Sequence, residues 1–255
     1  MTELPSNSTG SEWQDKVAII TGAASGIGLA TLRLLHARGA KIIAVSIGEE
    51  VHALEAPGIV PLQADVGREE SAAEAVSLAL ERFGRLDLLI NNAGRIINKL
   101  AVDMTVEEWN NVFLINATAP FVFSREAMRV MSKAGGGAIV NVGSYACFQS
   151  FPTIAAYAAS KGALAQLTRT LALEGIKHGI RVNAVGSGDT ITNFLNHLHA
   201  DGQAFLAEHG SKAPIGRAAR PEEVAEVIAF VGSSRASYMV GAVVMTDGGM
   251  SITTP

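Results

Sequence analysis

Short apolar runs alternate along the chain with longer segments of helical periodicity. Several of the short runs are apolar on both faces, which is typical of strands buried between two layers of helices. The predicted strands are Val17–Thr21, Ala40–Val45, Ile59–Gln63, Leu86–Ile90, Ala138–Val142, Ile180–Val185 and Ala242–Met245. The predicted helices are Ile27–Ala37, Glu69–Arg82, Val106–Met131, Ala155–His178, Phe194–Glu208 and Glu222–Gly232. This alternation predicts an α/β, doubly wound fold with a seven-stranded, mostly parallel sheet and helices on both faces.

No linker, repeat or low-complexity tract divides this pattern, so residues 13–255 are expected to form a single domain. Residues 1–12 are polar and are expected to be a flexible lead. They lack the basic start and apolar run of a signal peptide, and no stretch reaches the ~18 apolar residues that span a bilayer. The expected protein is cytoplasmic, with no membrane partner.

Composition narrows the possible functions. Of 255 residues, 48% are hydrophobic and 17% are charged, which excludes a disordered chain. Twenty Lys and Arg against 24 Asp and Glu give a net charge of −4, so no basic field for nucleic acid is expected. The single cysteine, Cys147, cannot form an internal disulfide, and no Cys/His cluster has zinc spacing, so no metal is expected.

Glycine is abundant, with 26 residues, and three glycines occur together where the first strand runs into a helix. The segment TGAASGIG contains Gly22, Gly26 and Gly28. Such a turn lets the backbone approach a pyrophosphate, which the N-terminus of the helix stabilises. Its GxxxGxG spacing differs from GxGxxG, and a tight turn needed only for packing remains an alternative.

Two other strand ends carry polar residues. Asn91–Gly94 (NNAG) follows the fourth strand, where Asn and Gly are also ordinary turn residues. Asp65 and Val66 follow the third strand. Asp65 could accept a hydrogen bond from an adenine amino group or, more simply, cap the helix that begins near Glu69.

Candidate chemistry lies at the end of the fifth strand and on the helix that follows. Ser144 closes the strand, and Tyr157 and Lys161 lie four residues apart on one helix face. A phenol has a pKa of ~10, and a nearby cation is expected to lower it, so that Tyr157 becomes a usable proton donor and acceptor. A Tyr and Lys on a solvated helix face would look the same, but all these segments meet at strand ends of one fold.

The order and spacing of TGAASGIG, Asp65-Val66, NNAG, Asn116, Ser144, YAASK and TDGG resemble those of the short-chain dehydrogenase/reductase family, from Asp15 to about Ile252. The resemblance implies a Rossmann fold and an NAD(P)-dependent oxidoreductase acting on a small-molecule secondary alcohol or ketone. The alternative is a noncatalytic dinucleotide sensor or scaffold on the same fold. The resemblance also implies a homotetramer.

The family pattern implies a role for each reacting residue. Tyr157 would be the general acid/base, and Lys161 would lower its pKa and hold the nicotinamide ribose. Ser144 would orient the substrate oxygen, and Asn116 would support a water relay to Lys161. The implied cofactor-binding residues are Gly22, Ser25, Gly26, Ile27, Gly28, Ser46, Asp65, Val66, Asn92, Ala93, Gly94, Tyr157, Lys161, Gly188, Thr190 and Thr192.

Two departures from the family pattern affect these expectations. The position after the second strand that carries an acid in NAD-binding members is Ser46 here, and no basic residue marks NADP. Glu49 and Glu50 follow closely and would repel a 2′-phosphate, so NAD is slightly favoured over NADP. Ser187 replaces the family proline before Gly188, which predicts a more mobile loop from Ser187 to Asn193.

The substrate end is expected between the loop after NNAG, the segment Tyr145–Ile154 and a variable lid at about residues 189–214. The apolar residues of these stretches predict a mostly apolar pocket, although any one of them could equally be an ordinary packing residue: Ile96, Ile97, Phe148, Phe151, Phe194 and Leu195. Arg95, directly after NNAG, could contact an anionic substrate group, although an exposed arginine more often contacts only solvent.

Overall fold

The computed structural model describes residues 12–252 and contains one sheet whose strands run in the order β3-β2-β1-β4-β5-β6-β7. The strands are β1 Val17–Thr21, β2 Lys41–Ser46, β3 Ile59–Gln63, β4 Leu88–Asn91, β5 Gly137–Ser144, β6 Ile180–Ser187 and β7 Val243–Thr246. Every neighbouring pair is parallel. The predicted doubly wound fold is confirmed. Among the described strands the sheet is wholly parallel rather than mostly parallel.

The helices lie between the strands in sequence. They are α1 Gly26–Ala37, α2 Glu69–Phe83, α3 Val106–Phe113, α4 Ala119–Ala134, α5 Ala155–Gly175, α6 Gly202–Gly210 and α7 Pro221–Gly232. Local chemistry explains several ends. Thr105 and Glu108 form a capping box at the start of α3. Pro221 occupies the first turn of α7, where its missing N–H costs nothing, and Gly84 ends α2 with a left-handed backbone.

Three predicted helices differ from the structure. The segment Val106–Met131 is not one regular helix, because Leu114–Thr118 forms a π-helical turn between α3 and α4. The helix predicted over Phe194–Glu208 is wrong at its start: a short 3-10 turn covers Asn193–Leu195, and α6 begins only at Gly202, where the Asp201 side chain accepts a hydrogen bond from the Ala204 N–H. The helix predicted over Ala155–His178 ends at Gly175, and a 3-10 turn covers Ile176–His178.

The core consists of two apolar layers, one on each face of the sheet. A third, smaller cluster of Ile96, Leu195 and Leu206 lies at the lid. The predicted lead lies outside the described residues except for Glu12. No helix of the described chain is both long enough and apolar enough to cross a membrane.

Candidate active site

A cavity of about 590 Å³ opens where β1, β2, β4, β5 and β6 end. Ligands bind at this edge in open parallel sheets. Its wall includes every site residue predicted from the sequence except Gly28 and Asn116. The fold therefore brings the separate sequence motifs to one place. No group of three or more His, Cys, Asp or Glu residues in residues 12–252 has an arrangement that could hold a metal ion.

The glycine-rich turn forms one end of the cavity. Gly22 has a φ of 64°, a left-handed conformation that favours glycine. A β-carbon on Gly28 would collide with the Gly22 carbonyl oxygen and lie 2.6 Å from Nδ2 of Asn92. Ser25 precedes α1 without a side-chain capping bond, and the first turn of α1 carries no acid. The first N–H groups of α1 can therefore bind an anion, which fits the pyrophosphate of a dinucleotide.

Hydrogen bonds of Thr21 join the glycine-rich turn to the NNAG segment. Its Oγ1 accepts hydrogen bonds from the backbone N–H groups of Asn92 (3.0 Å) and Ala93 (3.1 Å). In return, Nδ2 of Asn92 donates to the carbonyl oxygens of Thr21 (2.9 Å) and Gly22 (3.1 Å). The Asn92 side chain thus supports the glycine turn. Thr21 was not identified from the sequence as a site residue. The available signal was that Thr21 is a polar residue at the end of an otherwise apolar strand.

Asp65 belongs to a local turn rather than to a helix cap. Its Oδ1 accepts from the Gly67 N–H at 2.8 Å. The residue at the cap position of α2 is Arg68, which makes no side-chain capping bond. The capping alternative for Asp65 is therefore wrong. Asp65 lines the cavity, and its second carboxylate oxygen has no hydrogen-bond partner among the described residues.

The end of β2 contains no charged side chain, but a carboxylate lies close to it. Ser46 is buried and Ile47 is 68% exposed, and both line the cavity. A β-carbon on Gly48 would collide with the Glu50 carboxylate, which therefore folds back over the Gly48 backbone. The negative charge of Glu50 therefore lies beside Gly48, two residues after Ser46.

Ser144 and Lys161 are buried on the floor of the cavity, and Tyr157 beside them is half-buried. Lys161 Nζ donates to the Val142 carbonyl oxygen at 2.8 Å and lies 5.6 Å from the centre of the Tyr157 ring. Burial raises the pKa of Tyr157 to about 12, and a hydrogen bond with the Ser144 side chain partly opposes this shift. Burial also lowers the pKa of Lys161 to about 8. The Tyr157 pKa therefore departs in the direction opposite to the expected one, because desolvation outweighs the stabilisation of the phenolate.

Asn116 is fully buried in the π-helical turn and braces the loop after NNAG. Its Oδ1 accepts from the Arg95 N–H, and its Nδ2 donates to the Arg95 carbonyl oxygen, both at 2.8 Å. Nδ2 also donates to Ser160 Oγ on α5 at 2.9 Å. The amide thus joins the loop to the helix that carries Tyr157 and Lys161. The water relay remains a prediction.

The loop after β6 differs in detail from expectation. A β-carbon on Gly188 would lie 2.6 Å from Cα of Asp247, so glycine is needed for packing against the chain after β7. Thr190 Oγ1 donates to the Gly188 carbonyl oxygen at 3.1 Å. The side chain of Thr192 packs on Gly26, which joins the loop to the glycine-rich turn. The predicted mobility of this loop remains a prediction.

The substrate end of the cavity is mostly apolar. Its wall includes Ile96, Phe151, Ile154, Phe194, Leu195 and Leu206. Ile97 and Phe148, which were predicted to line the pocket, are not part of this wall, and Phe148 is 55% exposed. The Phe194 ring lies 6.4 Å from the Tyr157 ring, centre to centre. Arg95 lies on the wall with an exposed side chain that makes no ion pair with any described residue.

This combination of fold, glycine turn and a Ser-Tyr-Lys group on the cavity floor is that of a nicotinamide-dependent oxidoreductase. The family model described as enoyl-(acyl carrier protein) reductase matches residues 22–251. The chain belongs to the short-chain dehydrogenase/reductase family, and it is an NAD(P)-dependent oxidoreductase acting on alcohols or ketones.

Individual relatives cover nearly the whole chain. Cis-4-hydroxycyclohexanecarboxylate dehydrogenase of Sinomonas cyclohexanicum is 42% identical over 94% of this chain and 98% of its own length. The 3-oxoacyl-[acyl-carrier-protein] reductase FabG of Thermotoga maritima is 37% identical, covering 94% of this chain and 99% of the relative. The crystal structure of levodione reductase superposes with a TM-score of 0.88 at 32% identity, covering 94% of this chain and 99% of that one.

Proposed function

We propose that the protein interconverts a secondary alcohol and the corresponding ketone, with Tyr157 exchanging the proton of the substrate oxygen. The observation that carries this proposal is the meeting of Ser144, Tyr157 and Lys161 on the floor of a cavity that begins at the glycine turn. A bound nicotinamide supplies or accepts the hydride. A noncatalytic sensor would need the glycine turn but not this buried acid–base group.

The side chains divide the proton chemistry between them. Tyr157 with a pKa of about 12 is protonated at neutral pH, so it is a donor to the alkoxide that forms when a ketone is reduced. Lys161 is charged below about pH 8 and is held by Val142, where its ammonium stabilises the phenolate left behind. Ser144 is placed to hydrogen-bond the substrate oxygen. In the reverse reaction Tyr157 must first lose its proton, so alcohol oxidation is expected to accelerate as the pH rises to about 8, the range in which Lys161 keeps its charge.

The proposed cofactor site runs along the strand ends. The turn around Gly26 would hold the pyrophosphate, the free oxygen of Asp65 would accept from the adenine amino group, and Lys161 would hold the nicotinamide ribose. Asn116 would complete the acid–base group. NAD is the proposed preference, because the Glu50 carboxylate beside Gly48 would repel a 2′-phosphate.

The proposed substrate is a cyclic secondary alcohol or ketone that bears a carboxylate. The apolar wall suits a hydrocarbon ring. Arg95 offers a guanidinium to an anionic substituent at the rim. A relative with 42% identity is named for cis-4-hydroxycyclohexanecarboxylate, which combines these two features.

We infer a homotetramer in the cytoplasm as the working form. Family resemblance supports it, and so do the exposed apolar side chains Leu114, Phe121 and Leu173, which lie on or beside α4 and α5. Light scattering of the purified protein tests the assembly: four copies would support it, and a monomer at micromolar concentration would overturn it.

Turnover of 4-oxocyclohexanecarboxylate and a panel of ketones with NADH and NADPH tests the activity. Tyr157→Phe is expected to lower turnover by a factor of about 10² to 10⁴ while leaving the dissociation constant of NAD within about twofold. Tyr238→Phe is the matched control, because that side chain is fully exposed. Tight NAD binding without turnover of any substrate would instead favour the noncatalytic sensor or scaffold.

A further inference from the structure

A buried carboxylate at the substrate end lies outside the proposed acid–base group. Asp189 directly follows Gly188 after β6, and its side chain is only 10% exposed. Its Oδ2 lies 2.7 Å from Nδ1 of His209, and its Oδ1 accepts a hydrogen bond from the Tyr145 hydroxyl at 3.4 Å. Both carboxylate oxygens are therefore used, by residues from two different parts of the chain.

The two hydrogen-bond partners of Asp189, Tyr145 and His209, belong to different segments of the cavity wall. Tyr145 directly follows Ser144, and its ring packs edge-on against Phe151 at 5.2 Å. His209 lies in the last turn of α6, in the lid. All three members of the network line the cavity. One carboxylate thus joins the segment that carries Ser144 to the helix that covers the substrate end.

Helix α6 contacts the rest of the molecule through few side chains besides His209. Leu206 on α6 packs with Ile96 and Leu195, and Tyr157 packs against the same cluster. The Phe205 ring lies between the rings of His199, at 3.9 Å, and His209, at 6.0 Å. An apolar cluster of this size buries little area, so the polar contacts of α6 matter: His209 with Asp189 and Gln203 with Asn193, each at 2.7 Å.

We propose that Asp189 and His209 form a positioning pair that fixes α6 as the wall of the substrate end and thereby sets substrate affinity. The pair acts through Leu206, Phe205 and Tyr145, which line the cavity, and makes no hydrogen bond to Ser144, Tyr157 or Lys161. Loss of the imidazole removes one of the two hydrogen bonds to a mostly buried carboxylate and frees the end of α6. The kinetic part of this inference rests on the proposed oxidoreductase function.

His209→Ala tests the pair in the full-length enzyme. The KM for the ketone is expected to rise about tenfold, whereas kcat and the dissociation constant of NAD stay within about twofold. His209→Asn should restore most of the lost affinity, because the amide nitrogen of Asn can occupy the place of Nδ1 and donate to Asp189. His178→Ala is the matched control, since His178 is exposed in the 3-10 turn after α5. An unchanged KM in His209→Ala, or an Asn variant as impaired as the Ala variant, would overturn the proposal.

Hydrogen exchange tests the same pair without any substrate. In His209→Ala the amides of residues 202–210 should exchange about tenfold faster, while those of β1 and β4 keep their rates. Equal exchange in the variant and the parent protein would overturn the proposal. This measurement does not depend on turnover, so it separates failure of the positioning pair from failure of the proposed function.

Discussion

The two ends of the cavity are built from different parts of the chain. At the cofactor end the backbone itself forms the surface, shaped by Gly22 and Gly28 and held by the bonds between Thr21 and Asn92. At the substrate end side chains from the lid form the surface, held by one small apolar cluster and by polar contacts such as Asp189 with His209. Backbone surfaces suit a ligand that never changes, whereas side chains can be exchanged to suit different substrates.

Because the two ends differ in this way, substitutions at each end should have different effects on binding. A change at the cofactor end should weaken dinucleotide binding whatever the substrate is. A change at the substrate end should alter the KM of particular substrates and leave dinucleotide binding intact. The Ser144, Tyr157 and Lys161 side chains lie between the two ends and should affect turnover itself.

The largest effect is expected from Lys161→Met, at the junction of the two ends. In the proposed acid–base group the ammonium stabilises the Tyr157 phenolate, so its removal should lower kcat by a factor of about 10² to 10⁴. Steady-state kinetics at pH 7 measure this fall. Lys177→Met is the control, because Lys177 is exposed after α5. A fall of less than about tenfold would remove Lys161 from the proposed acid–base group.

Lys161→Met also tests whether burial lowers the pKa of Lys161. The folded pKa of Lys161 is about 8, lowered from 10.5, so between these values the unfolded chain binds more protons and stability rises with pH. The parent protein should therefore gain stability relative to Lys161→Met between pH 8 and pH 10. Denaturant unfolding of both proteins at several pH values gives the difference. A difference that stays constant over this range would contradict the lowered pKa.

The cofactor end is tested by Gly28→Ala. The added methyl group would collide with the Gly22 carbonyl and the Asn92 amide, so the turn must shift. The dissociation constant of NAD should rise about 100-fold, and the free energy of unfolding should fall by about 1–3 kcal/mol. Titration calorimetry and denaturant unfolding measure the two effects.

Gly162→Ala is the matched control for Gly28→Ala. Gly162 lies inside α5, and an added β-carbon there would meet no atom within 4 Å. Helix propensity alone should then make this variant more stable by about 0.5–1 kcal/mol, with NAD binding unchanged. Equal NAD affinity in Gly28→Ala and the parent protein would mean that the backbone surface is not what binds the dinucleotide.

The cofactor end was much easier to predict from the sequence than the substrate end. Glycines at fixed spacing after a strand report a backbone shape directly, so the cavity wall contains the predicted turn around Gly22 and Gly26. Roles that depend on distant partners were missed. Thr21 was not recognised as a clamp because its partner Asn92 is on another strand, and the close packing of Gly188 on Asp247 appears only when β6 and β7 are adjacent.

The lid was predicted poorly for a physical reason. Its apolar residues follow a helical period from Phe194 onward, yet the chain leaves the helix after Leu195 and starts again at Gly202. Leu195 and Leu206 both pack with Ile96 from a distant part of the chain, and periodicity does not report such tertiary contacts. The Asp189–His209 pair had no local signal either, because twenty residues separate its members.

Arg95→Gln tests the substrate end with a smaller expected effect. If the guanidinium binds a substrate carboxylate, the KM for 4-oxocyclohexanecarboxylate should rise about tenfold, and the KM for cyclohexanone should change less than about twofold. The dissociation constant of NAD should stay unchanged. Arg82→Gln, on the exposed end of α2, is the control. An equal rise in KM for the charged and the uncharged ketone would show that Arg95 does not select for the carboxylate.

The smallest expected effect concerns cofactor choice, where a side chain acts at the cofactor end. Glu50→Gln removes the carboxylate over Gly48, so kcat/KM for NADPH should rise about threefold, while the value for NADH stays the same. Glu81→Gln on α2 is the exposed control. Because the repulsion crosses solvent, the gain should shrink when the ionic strength is raised from about 0.1 M, where the screening length is ~10 Å, to about 1 M, where it is ~3 Å. A parent enzyme that already prefers NADPH would contradict the assignment of Glu50. A gain in kcat/KM for NADPH that persists in high salt would also contradict it, because the introduced amide would then make a new contact with the cofactor and lost repulsion would not be the cause.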